Sequence, residues 1–185
     1  SQPIVADSSQ DHVPPRQFYA KTIRQLHSPN LYTLPAHESC NKSYQFDEDY
    51  FVNTLAPFAV ESYSGNELLK GIKAKYETGA NVGLVQKVLN EFERRPSDII
   101  LPPGLVAKRI EGERVKRVLW KIIRGLYYRE NNLKLPENSP VLIKIFPPDE
   151  PPPLLFQQAL GDLDSRGDYP SVFDYKYYKD PTESA

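Results

Sequence analysis

The sequence predicts an α+β fold in which strands lie toward the two ends of the chain and helices lie between them. Apolar residues recur at helical spacing between about 66 and 129. Short runs with strand character, bounded by proline or turn residues, occur at 31–34, 141–146 and 171–178. The chain has 185 residues, which is enough for one domain or for a small domain with an appendage.

The N-terminal part of the chain, over residues 1–60, is expected to form a hairpin followed by a helix. In residues 11–15 (Asp-His-Val-Pro-Pro) the two prolines exclude a helix and force an extended exit. A second strand is expected at 31–34, ended by Pro35, and a further short strand at 4–5. The acidic residues 47–49 suit a helix N-terminus with its first residue as the N-cap, so a helix is expected from there to about residue 55.

Three more helices are expected at 66–76, 82–92 and 112–129. The last has an apolar stripe and a separate basic face, the basic stripe, whose residues are Arg114, Arg117, Lys121 and Arg124. Beyond it, a strand is expected at 141–146, an extended proline-rich segment at 147–153, and one or two helical turns at 154–160. A last strand is expected at 171–178.

The overall charge does not favour a nucleic-acid binder, since the net charge is −1 and the pI is near 6.3. The charge is unevenly distributed, because residues 108–129 hold eight basic and two acidic side chains. A local basic field of this kind is compatible with a DNA partner. The chain lacks an apolar run of the roughly 18 residues needed to cross a bilayer. Its one cysteine excludes an internal disulfide and fits a reducing compartment, so a cytoplasmic location is expected.

Four polar residues between 11 and 41 have chemistry suited to phosphodiester hydrolysis, which needs an activated water and a cation beside the phosphate. His12 can act as the general base, because its unperturbed pKa lies near working pH. Asp11 suits a divalent cation such as Mg²⁺ or Mn²⁺, and Asn41 offers an amide oxygen as a second ligand. Asn30 can hold its loop by hydrogen bonds to the backbone and so orient His12. Neighbours on a strand point to opposite sides, so Asp11 and His12 can serve one site only if the backbone kinks there.

These residues and their surroundings resemble the HNH endonucleases, also called ββα-metal or His-Me finger nucleases. The resemblance lies in residues 11–15, in 30–35 (Asn-Leu-Tyr-Thr-Leu-Pro), in 40–41 (Cys-Asn) and in 47–51 (Asp-Glu-Asp-Tyr-Phe). It is greatest to small stand-alone bacterial members, whose C-terminal part is also similar to residues 118–127 of this chain.

The resemblance implies a ββα-metal finger over residues 1–60 and a mainly helical scaffold with C-terminal strands over 61–185, packed together as one unit. It implies DNA hydrolysis with one divalent cation, with His12 as the base and Asp11 and Asn41 as metal ligands. Asn30 would orient the loop. The kind of protein that the chain resembles also suggests a role in phage defence or as a toxin-like effector, with a protein partner.

The chain departs from many members of the family at their zinc knuckle, which consists of two Cys-x-x-Cys pairs. Only His37 and Cys40 stand at the place of the second pair, as candidate ligands of a structural Zn²⁺. The first pair would fall just upstream of Ser1. Because the chain contains no methionine and opens on Ser-Gln-Pro, it is expected to be a portion of a longer one. The alternative is a protein without structural zinc.

Several alternatives stay open at this point. The basic stripe can be a DNA-contacting surface or a solvated helix face. The acidic residues 47–49 are explained by helix capping and are left outside the site. The whole chain can be a nuclease, an inactive module of the same fold that binds DNA or protein, or a nuclease subunit that needs a partner.

Overall fold

The computed structural model describes residues 8–93, 100–104, 106–146, 150–169 and 171–179. Within these ranges it mixes helices with three small antiparallel sheets of two strands each, as the predicted α+β class requires. The helices are α1 (Lys21–His27), α2 (Glu38–Leu55), α3 (Tyr63–Glu77), α4 (Val82–Asn90), α5 (Gly112–Asn131) and α6 (Leu154–Gly161). The strands are β1 (Ser8–His12), β2 (Thr33–His37), β3 (Phe92–Glu93), β4 (Ala107–Lys108), β5 (Ser165–Tyr169) and β6 (Phe173–Lys176).

The N-terminal hairpin pairs β1 with β2, and α2 follows β2 without a loop. The register places His12 opposite Thr33 and Gln10 opposite Pro35. Pro35 therefore lies inside the strand that it was expected to end. A sheet of two strands leaves each strand with an open edge, where a residue without an N–H is tolerated. The strand expected at 4–5 lies outside the described residues.

Helix α2 begins nine residues before the expected N-cap at Asp47, so that prediction of the helix start is wrong. Asp47 and Glu48 are buried in the third turn of the helix rather than at its end. Their carboxylates are neutralised by basic side chains of α5 instead of by helix N–H groups. The acidic residues are thus tertiary ion-pair partners, a role that local propensity cannot reveal.

Helix α5 packs against both the hairpin and α2. Val118 and Ile122 form a buried cluster with Val13, the residue that follows β1. Val115, one turn earlier, packs with Tyr50 of α2. The same helix therefore holds the end of β1 and the middle of α2 in fixed relation.

Helices α3, α4, α5 and α6 agree with the sequence within a few residues at each end. The strand expected at 141–146 is wrong, because these residues have no regular structure and Leu142 is 80% exposed. No strand of the described chain pairs with them. The proline-rich segment is described only from residue 150 onward. In the described chain, no helix combines the length and apolar character needed to cross a membrane.

The C-terminal hairpin of β5 and β6 is tied back to the start of the chain through Asp168. Its carboxylate accepts hydrogen bonds from Arg129 at 2.7 and 3.0 Å and from the backbone N–H of Tyr32 at 3.3 Å. Asp168 thereby fixes the segment that leads into β2.

Candidate active site

A cleft of about 420 Å³, the hairpin cleft, lies between the end of β1 and the N-terminal half of α2. Asp11 and His12 line it from the strand, and Asn41 lines it from the first turn of the helix. Glu48 lines it two turns further along the same helix. Three of the four residues that the sequence singled out are thus brought together, although a helix and a whole strand separate His12 from Asn41 in the chain.

Asn41 is anchored to the strand by its amide group. Its Nδ2 donates to Ser9 Oγ at 3.1 Å and to the carbonyl oxygen of Gln10 at 3.5 Å. Because both contacts use the nitrogen, the Oδ1 oxygen is left as an acceptor, and Asn41 lines the same cleft as Asp11.

His12 is half-buried in an environment that keeps its imidazole neutral. Burial lowers the pKa of His12, and the positive charges of Arg16, Lys121 and Arg24 lower it further, while Asp11 opposes them. A neutral imidazole can accept a proton near pH 7, which general-base chemistry requires.

Asp11 is paired with a lysine that belongs to the helical part of the chain. Its Oδ1 lies 2.6 Å from Nζ of Lys121, and the same ammonium also contacts Glu48. The β1 ladder is regular through Asp11 and His12, so the kink expected between them does not occur. Asp11 instead borders both the hairpin cleft and a second cavity of about 570 Å³ on the α5 side.

Two arginines line the cleft without a carboxylate partner in the described part of the chain. Arg16 is exposed just after the Pro-Pro pair, and Arg24 projects from α1, where its Nε donates to the carbonyl oxygen of Tyr19 at 3.1 Å. Guanidinium groups bind phosphate oxygens well, so this rim suits a phosphate anion.

Asn30 lies apart from the hairpin cleft. It is exposed, does not line the cavity and has no side-chain hydrogen bond to any described residue. The loop-holding bonds expected of it are therefore not formed. The neighbouring backbone is held instead by Asp168 and by the bond from Val13 N–H to the carbonyl oxygen of Tyr32 at 3.0 Å.

His37 and Cys40 border the second cavity, at the junction of β2 and α2. No group of three or more histidine, cysteine or acidic side chains able to hold a metal occurs within the described ranges. A structural zinc site requires four ligands, and these two residues do not provide one on their own.

The residues of the basic stripe are engaged with α2. Arg114 and Arg117 pair with Asp47, and Arg124 donates to the hydroxyl of Tyr44 at 2.8 Å. Lys121 is only 6% exposed. These internal partners are the observation against a DNA contact, while Arg117 keeps a side-chain exposure of 45%. The contact of these four residues with DNA stays a prediction.

The oxygen donors of the cleft fit a divalent cation of the Mg²⁺ type. The second carboxylate oxygen of Asp11 and the Oδ1 of Asn41 would be its two protein ligands, with water as the rest. Mg²⁺ commonly keeps several waters and binds through one or two protein groups. The positive charge of Lys121 beside Asp11 opposes such binding and weakens the affinity expected of it.

Arg16, Arg24 and Glu48 are the cleft residues that the sequence did not single out. The two arginines follow the Asp-His pair closely in the chain, so a search for cations near the motif could have found them. No sequence signal marked Glu48, because it reaches the cleft only through the way α2 turns after Asn41.

Comparison of the chain with models of protein families, with curated proteins and with solved structures finds no match in any of the three.

Proposed function

We propose that this chain is a metal-dependent endonuclease of the HNH type that hydrolyses phosphodiester bonds in DNA. The supporting observation is that Asp11, His12 and Asn41 line one cleft, on two antiparallel strands followed directly by a helix. This order of elements is the one that the resemblance of residues 11–51 to HNH nucleases implies, so the β1–β2–α2 unit is the proposed ββα-metal finger.

His12 acts as the general base. Its neutral imidazole removes a proton from a water molecule, and the water oxygen attacks the phosphorus as the bond to the 3′ oxygen breaks. The departing oxygen takes up a proton from solvent, leaving a 3′ hydroxyl and a 5′ phosphate. The low pKa of His12 favours this role, because the side chain is unprotonated before the reaction begins.

Arg16 and Arg24 bind the phosphodiester in the cleft. Both belong to the segment between β1 and β2 and supply positive charge to the lining of the cleft. Asp11 and Asn41 would hold the divalent cation. When bound, this ion neutralises charge on the phosphate and on the leaving oxygen.

Nicking of a supercoiled plasmid tests the proposal. Purified protein with Mg²⁺ or Mn²⁺ is expected to convert supercoiled DNA to the open circle, and EDTA is expected to stop it. His12→Ala should lower the rate by about 10²–10⁴-fold, as loss of a general base does. His27→Ala is the matched control, because His27 is an exposed histidine outside the cleft. Equal background for wild type and His12→Ala across several metals would refute nuclease activity.

A second candidate function is DNA binding without cleavage. The pairing of Asp11 with Lys121 favours it, because an internal ammonium beside the carboxylate competes with a metal ion. In that case Arg16→Ala and Arg24→Ala would weaken binding of labelled duplex DNA, while no metal would yield cleavage. Cleavage that appears only on addition of cell lysate would instead indicate a nuclease subunit that needs a protein partner.

A further inference from the structure

We propose that Lys121 is a positioning residue for the site. Through Lys121 and Gly125, α5 holds the two residues that flank His12 in the chain, Asp11 and Val13. This inference rests on the proposed function, because it concerns how Asp11 and His12 are positioned in the cleft. Lys121 is thereby assigned to the site, although it belongs to a helix far beyond the hairpin in the chain.

The first contact is the buried ammonium of Lys121. Its Nζ lies 2.6 Å from Asp11 and also contacts Glu48, and the side chains of all three are less than one fifth exposed. Glu48 is itself fixed, because Gln17 Nε2 donates to its other carboxylate oxygen at 3.0 Å. Lys121 is therefore held from α2 and cannot swing away from Asp11 without leaving two buried carboxylates facing each other.

The second contact is between Gly125 and Val13. A Cβ on Gly125 would lie within 2.7 Å of both methyl carbons of Val13, so a glycine is required for the helix to approach this closely. Val13 is buried at that point with Val118 and Ile122.

The two contacts are matched in spacing. Lys121 and Gly125 are four residues apart and share one face of α5, one turn from each other. Asp11 and Val13 are two residues apart on extended chain and so share one side of it. Helix α5 thus contacts both neighbours of His12 in the chain. His12 lines the hairpin cleft together with Asp11, and no residue of α5 lines that cleft. The helix therefore fixes the backbone on both sides of the proposed base from outside the cleft.

Kinetics with Lys121→Met tests this positioning role. The variant keeps a side chain of similar length but removes the ammonium. Saturating Mg²⁺ is used, so that the tighter metal binding expected on loss of the competing charge does not affect the comparison. The kcat for plasmid nicking is then expected to fall by about 10–100-fold, because the carboxylate of Asp11 is no longer held in place. The KM for DNA should stay within about twofold, because Lys121 is buried and does not contact the substrate. Lys121→Arg, which keeps the charge in a bulkier planar group, is expected to give an intermediate kcat.

Lys108→Met is the matched control. Lys108 has a side-chain exposure of 6%, against 7% for Lys121, and it pairs with Glu91 at 2.8 Å, away from the cleft. Its loss should lower stability to a similar degree and leave kcat unchanged. An unchanged kcat in Lys121→Met, or an equal loss of kcat in Lys108→Met, would overturn the proposal. If Lys121→Met does not fold, Lys121→Gln takes its place, and a full wild-type kcat in Lys121→Gln would overturn the proposal.

A double-mutant cycle separates this inference from the proposed function. Urea unfolding of Asp11→Asn, Lys121→Met and the double variant needs no DNA and no metal. The loss of stability in the double variant should be smaller than the sum of the two single losses, because both remove the same contact. If wild-type protein cleaves nothing, the proposed function fails, and coupling in the cycle still shows that Lys121 holds Asp11. Additive losses would overturn the positioning role of Lys121, whatever the activity.

Discussion

Gly125 lies so close to Val13 that a Cβ at Gly125 would be 2.6 Å from Cγ2 of Val13. The contact joins the C-terminal half of α5 to the residue that follows His12. Gly125→Ala should therefore force the helix and the strand apart. Overpacking of a well-packed contact costs about 1–3 kcal/mol, and the free energy of unfolding measured in urea should fall by that amount.

Gly71→Ala is the control for this substitution. Gly71 lies inside α3, and an added Cβ there meets no atom within 4 Å. The change should be neutral or stabilising by about 0.5–1 kcal/mol, because alanine suits a helix interior better than glycine. Adding Val13→Ala to Gly125→Ala should restore part of the lost stability. A Gly125→Ala protein as stable as the Gly71→Ala protein would show that the contact is not tight.

Asp168, rather than Asn30, is predicted to hold the segment before β2. Asp168→Ala removes the acceptor for Arg129 and for the N–H of Tyr32, and loss of such partners costs about 1–3 kcal/mol. Amide exchange at Tyr32 should become faster. Asn30→Ala should change neither stability nor exchange, since its side chain is exposed and makes no hydrogen bond within the described chain. Faster exchange at Tyr32 in Asn30→Ala alone would reverse this assignment.

Arginines of the cleft and arginines of the basic stripe are predicted to behave differently with DNA. Each of Arg16→Ala and Arg24→Ala should reduce the slope of log affinity against log salt by about 0.9, as expected for one lost phosphate contact. Arg114→Ala should leave this slope unchanged and lower stability, because it takes a partner from the buried Asp47. Fluorescence anisotropy with a labelled duplex at several salt concentrations measures the slope. A changed slope in Arg114→Ala would show that the basic stripe contacts DNA.

The titration of His12 is predicted to lie below the ordinary value of about 6.5. Burial and the charge of Arg16 lower its pKa in the folded protein, so the unfolded chain binds this proton first as the pH falls. His12 therefore contributes stability above about pH 6.5, and that contribution is lost as the pH falls from there through the folded pKa. Proton NMR of the imidazole, assigned with His12→Gln, measures it. A midpoint above 6.5 would mean that Asp11 outweighs the burial and the cations.

The sequence was most informative where the chemistry is local. Helix α5 follows from the spacing of Val115, Val118 and Ile122, which all prove buried. His12 and Asn41 were found from spacing and resemblance. They come together because α2 follows β2 without a loop and its first turn lies against β1, where Asn41 bonds Ser9 and Gln10.

The rest of the site depends on contacts between distant parts of the chain. Asp47 is a residue type that favours the N-cap position, but its carboxylate is neutralised by Arg114, 67 residues away in the chain. Lys121 looks like one member of an exposed basic face, yet its partners are Asp11 and Glu48. No local pattern distinguishes such a lysine from a solvated one, because only the packing of α5 on β1 and α2 buries it.

The most direct test of the hairpin cleft as a metal-dependent site is anomalous diffraction from crystals soaked in Mn²⁺. A peak is predicted in the cleft, bounded by the carboxylate of Asp11 and the amide oxygen of Asn41, with His12 beside it. The peak should be lost in crystals of Asn41→Ala. Crystals of the wild-type protein with no peak in the cleft, or an equal peak in Asn41→Ala, would contradict the assignment of the metal site and the nuclease chemistry that depends on it.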